Sequence, residues 1–137
     1  LKRDLKTLTI LFRAQATIER LIQEDVQKHD LSATEFGVLE ALYHLGPQPV
    51  QSLTGKILIA ASSMTYVIAR LKEKGWIVQT PSVADKRVKE VALTADGLER
   101  MKTVYPQHER ALRERFDRLS EAEEETLQTL LKRIGKS

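Results

Sequence analysis

VQSLTGKILIAASSMTYVIARLKEKGWIVQTPSVADKRVKEVAL, residues 50–93, is the stretch whose reading decides the fold. Residues 50–57 form a short helix held by Leu53 and Ile57. After a turn, a second helix runs from about residue 61 to residue 74, with Met64, Val67, Ile68 and Leu71 as its apolar stripe. At about 100° per residue, the opposite face carries Ser62, Thr65, Tyr66, Ala69, Arg70 and Glu73. Gly75 ends this helix. Residues 76–79 and 88–93 are β-rich, and residues 80–87, with Pro81 and Ser82, join them as a hairpin. Asp85-Lys86-Arg87 sits at its tip. Two helices around a turn, then a charged ribbon, is the plan of a winged helix.

Charge supports a polyanionic partner for this plan. Residues 50–90 hold seven Lys/Arg (Lys56, Arg70, Lys72, Lys74, Lys86, Arg87, Lys89) against three acids (Glu73, Asp85, Glu90). That surplus of four exceeds the +3 of the whole chain, so the remainder sums to about zero. A basic face on a nearly neutral body is the footprint of a nucleic-acid binder. The expected partner is double-stranded DNA, with the second helix in the major groove and the hairpin in the neighbouring minor groove.

Outward from this stretch the chain is helical. Leu5, Leu8, Leu11, Phe12, Ile18, Leu21, Ile22 and Val26 give residues 4–28 a wide apolar stripe. Ser32 and Glu35 form a capping box, with Leu31 and Phe36 as its hydrophobic staple. Leu39, Leu42 and Tyr43 continue that buried face to Gly46-Pro47, a helix stop. Thr94 caps a further helix with Leu98, Met101, Tyr105, His108, Leu112 and Phe116 on one stripe and Pro106 inside it, where a kink is expected. Ser120 and Glu123 form a second capping box, opening a last helix with Leu127, Leu130, Leu131 and Ile134 inward. The expected fold class is mostly α with a small β-hairpin (α+β), in a single domain over residues 1–137. Residues 31–93 form its winged helix-turn-helix lobe. Residues 1–29 and 94–137 form additional N- and C-terminal dimerisation helices. Those helices exceed what a compact winged helix needs, and the cheapest surface for their apolar faces is a second copy of the chain. Leu5, Leu8, Leu112, Phe116, Leu127, Leu131 and Ile134 are the expected dimerisation residues.

Composition removes other classes. Cysteine is absent, so disulfides, thiolate metal sites and cysteine redox switches are excluded. Aromatic residues make up 5 %, too few for a platform that stacks single-stranded bases. No apolar run nears the ~18 residues of a membrane span, and no stretch reads as a secretory signal, so a cytoplasmic protein without a membrane partner is expected. His29, His44 and His108 lack metal-ligand spacing and read as helix-end or surface residues; no cofactor or metal is expected. Ser62-Ser63 has no neighbouring base, and there is neither a nucleophile elbow nor a phosphate-cradling loop, so the chain does not read as an enzyme.

Four segments resemble the multiple-antibiotic-resistance regulator (MarR) family: LSATEFGVLEALYHLG (31–46), SSMTYVIARLKEKGWI (62–77), DKR (85–87) and LTADG (93–97). In this order and spacing they are specific, over about half the chain. The resemblance implies dimers joined through the N-terminal and the two C-terminal helices. It also implies repression of transcription, relieved by a small, often phenolic, ligand between the dimer helices and the winged helix. The chain departs from the pattern where Leu58-Ile59 replaces a usual Gly or Asn, and where Ala60-Ala61 replaces a usual Ser or Thr cap, worth on the order of 1 kcal/mol.

The candidate DNA contacts are Ser62, Ser63, Thr65, Tyr66, Arg70 and Lys72 on the second helix, and Asp85, Lys86, Arg87 and Lys89 on the wing. Ser and Thr reach base edges or phosphates, Tyr66 a sugar or phosphate, and Arg70 guanine or phosphate. Arg87 suits a narrow minor groove, with Asp85 orienting it, while Lys86 and Lys89 suit phosphates. An ordinary solvated helix face would look similar; charge context and the resemblance favour DNA. Phe12, Phe36, Tyr43 and Tyr105 are candidate ligand-pocket residues, although aromatics at this spacing are more often core. The functional expectation is a homodimeric, sequence-specific regulator on a pseudo-palindromic operator, a repressor released by a small ligand, aromatic if it follows the resemblance. The alternatives are a winged-helix protein-interaction module and an effector-independent DNA-binding regulator.

Overall fold

The computed structural model describes residues 3–57 and 63–136. Within them the order is α1 (Lys6–Gln27), α2 (Ala33–Leu45), β1 (Gln48–Pro49), α3 (Val50–Leu53) continued by a 3-10 turn (Thr54–Lys56), α4 (Met64–Glu73), β2 (Ile77–Pro81), β3 (Lys89–Leu93), α5 (Ala95–Phe116) and α6 (Glu121–Gly135). Six helices carry a small antiparallel sheet in the order β1-β3-β2. Both capping boxes form: the Ser32 hydroxyl accepts from the Glu35 amide at 3.1 Å and the Ser120 hydroxyl from the Glu123 amide at 3.1 Å, with each Glu carboxylate reaching back to its cap amide. α5 continues through Pro106 as one element of 22 residues.

The core lies where α1, α2, α4, α5 and the sheet meet. Val26, Phe36, Leu39, Leu53, Val67, Leu71, Ile77, Val91, Met101 and Val104 are all buried in it. Each such side chain contributes about 1.5–3 kcal/mol. Of the four α4 stripe residues, Val67, Ile68 and Leu71 are buried and Met64 packs partly against them.

Four expectations change. First, the hairpin gains a third strand, with Gln48 opposite Val91 and Pro49 opposite Glu90. Two residues are too short for an alternation signal, and a proline fits there because the strand is an edge. Second, α4 starts at Met64 rather than near residue 61. Ser63 is extended (ψ 131°) and its carbonyl takes the first helical bond, from Val67 N–H at 3.0 Å. Residues 58–62, including Ser62 and the departures at Leu58-Ile59 and Ala60-Ala61, lie outside the described residues. Third, His108 is neither at a helix end nor on the surface. It is buried in α5, with Nδ1 2.8 Å from Asp25 Oδ2 of α1 and its ring 4.3 Å from that of Phe36. Fourth, α6 does not turn its leucines into this core. Leu127 is half-buried, Leu130, Leu131 and Ile134 are exposed, and none of its described residues is buried. They face the α1 stripe across an open apolar groove of about 600 Å³. The first half of that stripe is also largely bare: Leu5, Leu8 and Phe12 are exposed, as is Ile10 beside them, and Leu11 is half-buried.

Candidate nucleic-acid interface

The apolar stripe of α4 fixes which face remains outside. Thr65, Tyr66, Ala69, Arg70 and Glu73 are exposed, as the helical period requires. Tyr66 is 61 % exposed, a large ring offered to solvent. Ser63 stands exposed at the N-cap, and its side chain makes no capping bond to the first amides of α4. Lys72 is exposed too, but its Nζ donates to Gln79 Oε1 at 3.2 Å, which ties α4 to strand β2.

The wing tip is a built loop. The Ser82 amide donates to the Val88 carbonyl at 2.7 Å, Val88 N–H returns to the Asp85 carbonyl at 2.9 Å, and the buried Ser82 hydroxyl accepts from the Ala84 amide at 3.2 Å. On this frame Asp85 grips Arg87. Arg87 Nε donates to Asp85 Oδ1 and Nη2 to Oδ2, both at 3.2 Å, and the Arg87 amide adds a third bond to Oδ1 at 3.0 Å. These bonds hold the Asp85 carboxyl below its ordinary pKa. The gripped guanidinium is still presented outward, with its side chain 90 % exposed. Lys86 and Lys89 are exposed. Val83, wholly exposed beside them, was not singled out from the sequence, because an isolated valine in a turn carries no pattern.

Lys74 belongs to the basic surplus but not to this face. Its Nζ lies 3.2 Å from Glu35 Oε2 and donates to the Asp30 carbonyl at 2.7 Å. The four aromatic residues read as a ligand pocket do not come together. Phe36 is in the core against His108, and Phe12 is exposed on α1. Tyr43 and Tyr105 do meet, with ring centres 5.8 Å apart and His44 packed edge-on to Tyr105 at 4.7 Å. Tyr43 alone of the four lines a cleft of about 270 Å³ between α2, β3 and the start of α5. Burial and the Glu109 carboxylate push the Tyr105 hydroxyl above its ordinary pKa. Helical period placed these rings on inward faces, but it does not say which of several inward faces they share.

Residues 31–89 match the MarR family. The transcriptional regulator MhqR of Bacillus subtilis is 37 % identical over 134 residues, covering 98 % of this chain and 92 % of that protein. The chain belongs to the MarR family. It is a DNA-binding transcriptional regulator with a winged helix-turn-helix, and not an enzyme. Two solved structures superpose on nearly the whole chain. A MarR-like regulator of Bacillus cereus superposes with a TM-score of 0.82 at 25 % identity, over 96 % of this chain and 94 % of that one. BpsR of Bordetella bronchiseptica, whose DNA binding is regulated by 6-hydroxynicotinic acid, superposes with a TM-score of 0.80 at 26 % identity, over 96 % and 99 %. Among the described residues no helix is long and apolar enough to cross a membrane.

Proposed function

We propose that two copies of this chain bind one pseudo-palindromic duplex and repress transcription until a small aromatic molecule releases them. Each copy sets α4 in a major groove, using Ser63, Thr65, Tyr66 and Arg70, with Ser62 just before it. The wing follows the neighbouring minor groove, with Arg87 as its finger and Lys86 and Lys89 on phosphates. The observation that carries this reading is the Asp85–Arg87 fork: an exposed guanidinium held in one pose on the same chain as an exposed α4 face.

Residues 31–93 act as the DNA-binding lobe, and residues 1–29 and 94–137 join the two copies. The support is energetic. A 15-residue helix is marginal alone in water, and α6 has no buried residue of its own to hold it. The groove beside it, lined by Ile10, Leu11, Ile18, Phe116, Leu127 and Leu131, gives a partner helix the apolar surface that both lack. Regulation by a small ligand is supported by the likeness to BpsR. Tyr43 and Tyr105, beside the cleft at the α2–α5 junction, are the residues we assign to it.

Selection from a random duplex pool, followed by footprinting and displacement with aromatic acids, tests the reading. The expected result is a palindrome with half-sites about 10–10.5 bp apart, protected by a dimer and freed by at least one compound. A monomer on a single asymmetric half-site would overturn it.

A further inference from the structure

Trp76 stands where α4 leaves for the wing, and five segments converge on it. α4 ends in a left-handed turn at Gly75 (φ 76°), with Gly75 N–H on the Lys72 carbonyl at 3.0 Å and Trp76 N–H on the Leu71 carbonyl at 3.1 Å. α5 begins against the same turn. The Thr94 amide donates to the Trp76 carbonyl at 3.1 Å, its hydroxyl donates to the Gly75 carbonyl at 2.6 Å, and that hydroxyl accepts from the Gly97 amide at 3.1 Å. Gly97 must be glycine there, since a Cβ would strike the Trp76 carbonyl oxygen.

Two cations then close the knot. Lys74 Nζ and Arg100 Cζ lie 4.9 and 4.2 Å from the centre of the Trp76 ring. Lys74 donates to the Asp30 carbonyl and Arg100 Nη2 to the His29 carbonyl. His29 and Asp30 close the last turn of α1, where the carbonyls form the negative end of the helix dipole. Glu35 of α2 completes the set at 3.2 Å from Lys74, and this pair is largely withdrawn from solvent, with side chains 15 % and 9 % exposed. An ion pair so placed is screened far less than one on the surface.

We propose that the Trp76 knot is a positioning joint: Lys74, Trp76 and Arg100 fix α4 against the ends of α1 and α5, and so set the separation of the two recognition helices on a duplex. This rests on the dimeric DNA-binding reading. α1 carries the bare apolar stripe assigned to the partner, so an angular error at its other end displaces α4 relative to the partner's α4. One base pair is about 3.4 Å of duplex, a small swing for a helix about 15 Å long. The two cations act through Trp76 and the α1 carbonyls and not through phosphates.

The test is selection from a pool of palindromes with varied central spacing, using wild type, Arg100→Met, Lys74→Met, Arg100→Lys and Trp76→Phe. Wild type selects one spacing. The methionine variants keep the dimer, the circular dichroism spectrum and the salt slope. They accept spacings one base pair longer or shorter and lose about tenfold on the wild-type spacing, about 1.4 kcal/mol. Arg100→Lys, which keeps a cation over the ring, recovers most of the selectivity. Should a methionine variant lose its fold, Trp76→Phe carries the comparison, since phenylalanine holds cations more weakly and should broaden the spacing partway. Unchanged spacing and affinity in the folded variants overturns the joint. So does a salt slope lowered by about one unit per cation removed, which would make these residues phosphate contacts. A wild type that binds no duplex at all instead removes the DNA-binding reading beneath it.

Discussion

Lys86 and Arg87 are neighbours at the wing tip and both are exposed, yet only Arg87 is shown gripped by a neighbouring carboxylate. That difference predicts different defects. Arg87→Ala should lose more affinity for the selected palindrome than Lys86→Ala, because a held guanidinium reads groove width as well as charge. Lys86→Ala should lower the salt slope by roughly 0.9 and weaken specific and random duplex alike. Asp85→Ala should weaken binding although it removes a negative charge, since it frees Arg87 to wander. Binding assays at one salt concentration, with circular dichroism as the folding control, separate the three; tighter binding by Asp85→Ala would end the orienting role. The pH dependence has a definite sign. The Asp85 pKa is lowered in the fold by Arg87, so the fork is fully present above the ordinary carboxylate range and is lost only as pH falls through the lowered value. Following the Asp85 carboxyl by NMR should therefore give a midpoint below the ordinary value of about 3.9.

Among the elements, helices with strong end signals were legible in the sequence, and parts fixed by distant partners were not. Ser32-x-x-Glu35 and Ser120-x-x-Glu123 announce α2 and α6, and both boxes form as read. The stripe of α4 likewise fixed its outer face. α4 starts at Met64 and not near residue 61, because its apolar stripe begins only at Met64 and spacing alone does not mark the entrance before it. Strand β1 exists only because β3 passes beside it. His108 lay on the right stripe of α5, but its partner Asp25 is 83 residues away, and no local pattern joins them. Lys74 counted toward a basic face by charge, whereas Glu35 and the Asp30 carbonyl, far back in the chain, hold it elsewhere. The α4–α5 junction yields its own expectation. Gly97→Ala should cost about 1–3 kcal/mol, because the obstacle is the Trp76 backbone and not a side chain that could turn aside. Urea denaturation measures it; a midpoint equal to wild type would mean that α5 can shift freely.

For the whole molecule, the open groove between α1 and α6 makes assembly separable from folding. Leu127→Asp and Leu131→Asp place a charge on a face that is half-buried or exposed in one chain but covered in the proposed dimer. An unpaired charge there costs several kcal/mol on association. Light scattering should therefore report monomers, with DNA affinity lost in parallel, while the helical spectrum of each chain falls by no more than the share of α6. A dimer surviving both changes would move the interface away from this groove.

The knot at the end of α4 also has an optical consequence. Trp76 is the single tryptophan of the chain. Unlabelled protein therefore reports on one place only, the junction of recognition helix, wing and α1. Indole emission follows the polarity and charge around the ring, and here two cations stand over it. Titration with duplex, or with an aromatic acid that absorbs outside the emission band, becomes a direct reading of whether that junction stays shut or opens.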